Sequence, residues 1–171
     1  IVHTSGSIGL DVFKDKQETG ILYPLQTFSK FIPMNLTDVP FCIESENKEF
    51  EKKLTKIAHK ISNSVHLLST EKRKKLHLAA VFACNFSNHM LSISEKIMKE
   101  NDLDFEMLKP LILQTFEKIK TNSPNPVQTG PAIRKDYKVI KNQIDSLNSE
   151  ELKQIYKQIT NNIIKLKNDN Q

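Results

Sequence analysis

The sequence predicts a mainly α chain that carries a few short strands at its N-terminal end. From Asn47 onward the apolar residues recur at helical spacing. The strand-like runs come before that point, each bounded by Gly or Pro. The 4 Gly and 7 Pro of the 171 residues are few enough to confine loops to short stretches.

The strands are Ile1-Val2 running into a His3-Thr4-Ser5-Gly6 turn, then Ile21-Leu22-Tyr23, then Phe41-Cys42-Ile43. A sheet of these alone is marginal. They are therefore expected to extend the sheet of a preceding domain, and an opening Ile1 with no initiator Met reads as the middle of a strand. Phe50, Leu54, Ile57, Ala58 and Ile61 then form one apolar stripe of a helix. The change of period divides the chain into 1–46, the end of a sheet with connecting strands, and 47–171, a helical domain.

Val65 to Leu68 reads as a strand, after which Ser69 or Thr70 caps a long helix to about Glu100. At ~1.5 Å per residue that helix is about 45 Å long. Leu76, Leu78, Ala79 to Cys84, Phe86, Met90, Leu91 and Ile93 make its middle apolar nearly all round. This predicts central burial, part of it against a second protomer in a homodimer. A further helix holds Leu108, Leu111, Ile112, Phe116 and Ile119, with Pro110 starting or kinking it. A Pro-rich loop from Ser123 to Pro131 leads to two closing helices capped by Asp136 and Ser149, with fraying after Leu166.

Composition excludes several functions. With 38% hydrophobic and 26% charged residues the chain is an ordinary globular one. Its net charge of +5 comes from Lys scattered on helical faces among 20 acidic residues, which argues against a nucleic-acid partner. No apolar run is long enough to span a membrane. Two cysteines make no disulfide framework, and Cys84 is expected to pack as a small hydrophobe in a reducing, cytoplasmic setting. There is no zinc spacing, Gly-x-Gly-x-x-Gly, P-loop or nucleophile elbow. Nucleotide chemistry must then come largely from outside this chain.

Within the apolar helix sit His77, Asn85, Ser87, Asn88 and His89. Asn85 and Asn88 are i, i+3 neighbours and His77 lies two turns earlier, so these three can share a face. Such polar groups either satisfy one another at a helix crossing or line a cavity, where they supply the acid and amide donors that a carbonyl substrate needs. His89 alone reads as a core or interface histidine. In the loop Pro124 to Pro131, Gln128, Thr129 and Gly130 with Arg134 can hold an anion through backbone N–H groups and a guanidinium, or the loop is a rigid connection and Arg134 a surface residue. Tyr23-Pro24-Leu25-Gln26-Thr27-Phe28 is apolar for a loop and is expected to pack at a domain boundary.

Taken together, His3 to Ser7, Tyr23 to Ser29, Pro40 to Glu44, His77 to His89 and Gln128 to Arg134 resemble a known family across nearly the whole chain. It is the C-terminal domain of unknown function that follows a Rossmann-like domain in bacterial proteins described as NADP-dependent or deazaflavin-dependent oxidoreductases. The resemblance implies a fold related to pyrroline-5-carboxylate reductase, the hydroxyacid dehydrogenases and the C-terminal part of 6-phosphogluconate dehydrogenase. It also implies His3, Thr4, Ser5 and Gly6 beside an NADP or NAD cofactor, and a helical domain that dimerises and contacts substrate. One departure is plain: the dehydrogenase pattern of Lys followed four residues later by Asn is not met, since four beyond His77 is Val81.

These readings converge on hydride transfer to or from a small carbonyl or imine compound. His77, Asn85 and Asn88 form the catalytic set, and Gln128, Thr129, Gly130 and Arg134 hold the substrate; no metal is called for. The alternative is a non-catalytic dimerisation or regulatory module of the same shape.

Overall fold

The computed structural model describes residues 1–14 and 16–169. They form two compact units, Ile1–Leu103 and Asp104–Gln171. The change of period at 46–47 falls within the first unit, whose first helix packs on the sheet.

Strands β1 (Val2–His3), β2 (Gly20–Pro24), β3 (Phe41–Glu44) and β4 (Val65–Leu67) form one sheet in that order. β1 runs parallel to β2, β2 antiparallel to β3, and β3 parallel to β4. Alternation at period two sends neighbouring side chains to opposite faces. Phe41 and Ile43 point to one face, where they bury with Val39, Leu54 and Ala58, and Leu22 and Phe50 pack at the margin. Leu54 and Ala58 belong to α1 (Lys48–Ala58), whose N-cap Asn47 accepts from the amides of Glu49 and Phe50. Ile21, Tyr23 and Cys42 point to the other face, against Leu68 and Leu76. Two apolar faces on so short a sheet are stable because a helix covers each.

Leu76 lies on α2 (Thr70–Ala80), which Ser69 caps by accepting from Lys72 N. The helix continues without a break through a π-helical turn, Val81–Phe86, into α3 (Ser87–Glu100). Its middle departs from the expected central burial: Leu78, Phe82 and Phe86 are 52%, 63% and 48% exposed. Only the side turned to the sheet is covered, and these three residues lie away from it. Cys84 is exposed too, whereas Cys42 is the thiol that packs in the core.

The second unit starts with a 3-10 turn, Phe105–Leu108, capped by Asp104, and α4 (Lys109–Lys118), with Pro110 in its first turn where a missing N–H costs nothing. α5 (Pro131–Arg134) packs on α6 (Tyr137–Asp145) and α7 (Glu150–Asp169), around buried Ala132, Ile140 and Thr160. Asp136 caps α6 and Ser149 accepts from Leu152 N at the start of α7, as their types predict. The α7 helix runs on to Asp169, beyond the Leu166 where the sequence places fraying. No helix of the described residues is long and apolar enough to cross a membrane.

Candidate functional site

In the first unit, β2 ends at Pro24 and the chain leaves the sheet as Leu25-Gln26-Thr27, facing α2 and the π turn. Between them lies a cleft of about 400 Å³. One wall is Tyr23, Leu25, Gln26 and Thr27; the other is Leu76, His77, Ala79, Ala80, Ala83, Cys84 and Asn85. At its base the Tyr23 hydroxyl and His77 Nδ1 are 3.0 Å apart, joining residues 54 positions distant in sequence. The two rings meet edge to face, their centroids 5.9 Å apart.

Burial pushes the Tyr23 phenol above its ordinary range, and the Cys42 thiol adds to this while the Arg73 guanidinium opposes it. Tyr23 therefore keeps its proton at neutral pH and can donate it to His77 Nδ1. In that tautomer Nε2 carries the remaining ring proton.

Gly6 closes the base. A Cβ there would come within 2.5 Å of His77 Nδ1 and 2.9 Å of Tyr23 Cζ, so only glycine lets the loop after β1 lie against the pair. That loop is held by Arg73, whose side chain is fully buried. Its guanidinium donates to the carbonyls of Ser5, Gly6 and Ile8 at 2.8, 2.9 and 2.8 Å. It also donates to Glu44 Oε2 and Thr70 Oγ1, both at 3.2 Å. Glu44 is fixed in turn by the Thr70 amide at 2.6 Å and hydroxyl at 2.8 Å. Among the described residues, Arg73 Nε is the buried side-chain polar atom without a partner.

The sequence-derived residues divide into groups. Gly6 and His77 are brought together, and Asn85 lines the same cleft as His77. His3 turns back into its own loop: its Nδ1 accepts from Ser5 N, which leaves Nε2 to donate to the Gly9 carbonyl, each at 3.2 Å. Its ring stacks on Phe13. Ser5 Oγ accepts from the amides of Ser7 and Ile8, while Thr4 is exposed. His3 and Ser5 thus shape the loop. Asn88 is exposed and does not line the cleft.

The π turn accounts for both asparagines. On a uniform α-helix at ~100° per residue, Asn88 would return to within about 20° of His77, and Asn85 would lie about 80° away. The π turn takes an extra residue to complete its circuit. The helix then lags, bringing Asn85 toward His77 and carrying Asn88 past it.

Gln128, Thr129, Gly130 and Arg134 lie in the second unit. Gln128 spends its amide N–H on the neighbouring Thr129 carbonyl. Gly130 has φ 110°, a conformation that favours glycine, and Arg134 is exposed. Sequence reasoning missed Tyr23 as a partner of His77, and Arg73 altogether. Arg73 sits in the run Glu71-Lys72-Arg73-Lys74-Lys75, which reads as a solvated face. The one available signal was helical phase: Arg73 is three residues before Leu76 and four before His77.

A small mixed sheet covered by helices, continuing into one long helix, is the fold of the helical part of oxidoreductase-like proteins. The crystal structure of "putative NADP oxidoreductase BF3122" from Bacteroides fragilis matches with TM-score 0.92 and 39% identity over 96% of this chain. The match covers 64% of that protein, so this chain spans less than two thirds of its length. Protein TM1727 from Thermotoga maritima shares the fold, with TM-score 0.73 and 23% identity over 98% of this chain and 69% of that one. No curated protein matches. Residues 39–163 match the family described as domain of unknown function DUF2520, and the chain belongs to that family.

Proposed function

We propose that this chain is the substrate-side part of an NAD(P)-dependent oxidoreductase that transfers hydride to or from a small carbonyl or imine compound. The observation that carries this reading is the Tyr23–His77 pair at the base of an apolar cleft. A half-buried imidazole whose one nitrogen is occupied by a phenol presents the other as a proton donor or acceptor. Asn85 orients the substrate oxygen by its amide. In the second unit, Gln128, Thr129, Gly130 and Arg134 offer backbone N–H groups and a guanidinium to an anion.

NADP or NAD, which supplies the hydride chemistry, is held mainly by a domain outside this chain. The loop His3, Thr4, Ser5 and Gly6 fits the nicotinamide end only. Its carbonyls at Ser5 and Gly6 are taken by Arg73, and it offers no free cation for a diphosphate. In this reading residues 1–46 close a Rossmann-type sheet, with β1 at the edge, and 47–171 form the substrate and dimer domain of a cytoplasmic protein. The exposed Leu78, Phe82 and Phe86 supply an apolar stripe for the homodimer.

The test is turnover of a nicotinamide cofactor by the full-length protein across a panel of carbonyl and imine compounds. Loss of an acid–base group costs roughly 10²–10⁴-fold, and that is the drop expected for His77→Ala. Asn85→Ala should lower turnover less. Undiminished rates in both variants would sink the assignment.

A further inference from the structure

We infer that the cleft between the end of β2 and the alanine face of the long helix takes the carbonyl end of an uncharged, largely apolar molecule and excludes carboxylates and phosphates. This rests on the proposed function and names the substrate class at its reacting end.

The walls are the first argument. Leu25, Leu76, Ala79, Ala80 and Ala83 supply the aliphatic part of the lining, beside Cys84. The polar groups, Tyr23, His77, Asn85, Gln26 and Thr27, are uncharged or weakly basic hydrogen-bonding groups. Among the described residues lining the cleft there is no Lys, Arg, Asp or Glu. An anion seated against Leu25, Leu76 and Ala80 gives up part of its water and meets no counter-charge, which costs free energy. A carbonyl oxygen needs only one or two donors, and the His77 imidazole and the Asn85 amide provide them.

The nearby cation is the second argument. Arg73 lies under the same loop as the Tyr23–His77 pair, but both terminal nitrogens are committed to Ser5, Gly6, Ile8, Glu44 and Thr70. It has no terminal N–H left for a ligand. The third argument is space. Ala79, Ala80 and Ala83 recur at helical spacing on the side facing Leu25, so the room exists because their side chains are small. A volume of about 400 Å³ falls in the range of small-ligand sites.

The experiment is an NMR titration of the chain, with 13C labels on His and Ala, against hexan-2-one, hexanoate and hexyl phosphate. Hexan-2-one should shift the His77 ring and the Ala80 and Ala83 methyls saturably. The two anions should bind at least about tenfold more weakly. Ala83→Leu and, separately, Ala79→Leu should weaken the ketone at least about tenfold, whereas Leu78→Ala, outside the lining, should not. Equal or tighter binding of hexanoate, or no shift with the ketone, overturns the inference. The two readings fail separately. Ketone binding here without turnover in the full-length protein removes the hydride-transfer reading and leaves this one. Turnover confined to substrates whose carboxylate or phosphate is held beside His77 does the reverse.

Discussion

β2 and β3 on one side, and the helix from Leu78 to Phe86 on the other, are comparably rich in apolar residues. Ile21, Cys42 and Ile43 are no more than 1% exposed, while Phe82 is 63% exposed. Chain order explains the contrast. β3 leads into α1 and β4 into α2, and these helices supply cover on opposite faces of the sheet, so residues pointing to either face are buried. Among the described residues the long helix meets the sheet through Leu76, and Leu78, Phe82 and Phe86 stay exposed. Apolar content therefore reports that a surface is to be buried, and not whether this chain does the burying.

The comparison can be broken most strongly at Arg73. Arg73→Met leaves Glu44 without its cation and three loop carbonyls without their donor. Removal of one partner of a buried pair costs roughly 3–5 kcal/mol, and a fall of that size in unfolding free energy by urea denaturation is expected. A loss below about 1 kcal/mol would show the loop to be held by other means.

The covered face should also lose stability in alkali. Burial raises both the Cys42 thiol and the Tyr23 phenol from their ordinary 9.0 and 10.0. The unfolded chain sheds those protons first, so the stability is fully present below about pH 9 and declines as pH rises through the folded values. Urea midpoints from pH 7 to 11 should fall beyond pH 9, less steeply in Tyr23→Phe. An unchanged slope in that variant would remove Tyr23 from the account.

The smallest effect belongs to the uncovered face. Phe82→Ser loses an edge contact with Phe86, centroids 4.9 Å apart, and little burial. It should change unfolding free energy by about 1 kcal/mol or less. If a second copy covers the stripe, the same variant should weaken self-association in sedimentation measurements. A fall as large as that of a core truncation would show that Phe82 is covered within the chain.

Much of the fold was legible because local rules and tertiary packing agree. The four strands, the helix that starts after Asn47, the caps at Asp136 and Ser149 and a cap at Ser69 or Thr70 follow from period and side-chain type, although that first helix stops at Ala58, short of Ile61. The site was legible only in part. His77 and Gly6 stand out as residue types, but their contact spans 71 positions and no pattern encodes it. Asn88 was placed by a uniform helical period that the π turn interrupts, and nothing in Val81 to Phe86 announces that turn, since it contains neither Pro nor Gly. Arg73 was hidden by its charged neighbours, because a run of five charges conceals the one that faces inward.

The Arg73 guanidinium also bears on how the molecule breathes. Residues 5–8, the first turn of α2 and the end of β3 share one buried cation, so none of them can open alone without baring it. They should exchange their amide hydrogens as one cooperative unit, near the slow end of the unit's range. The loop against the Tyr23–His77 pair is then a fixed floor, and any motion that admits a ligand belongs to the Leu25-Gln26-Thr27 wall opposite the helix.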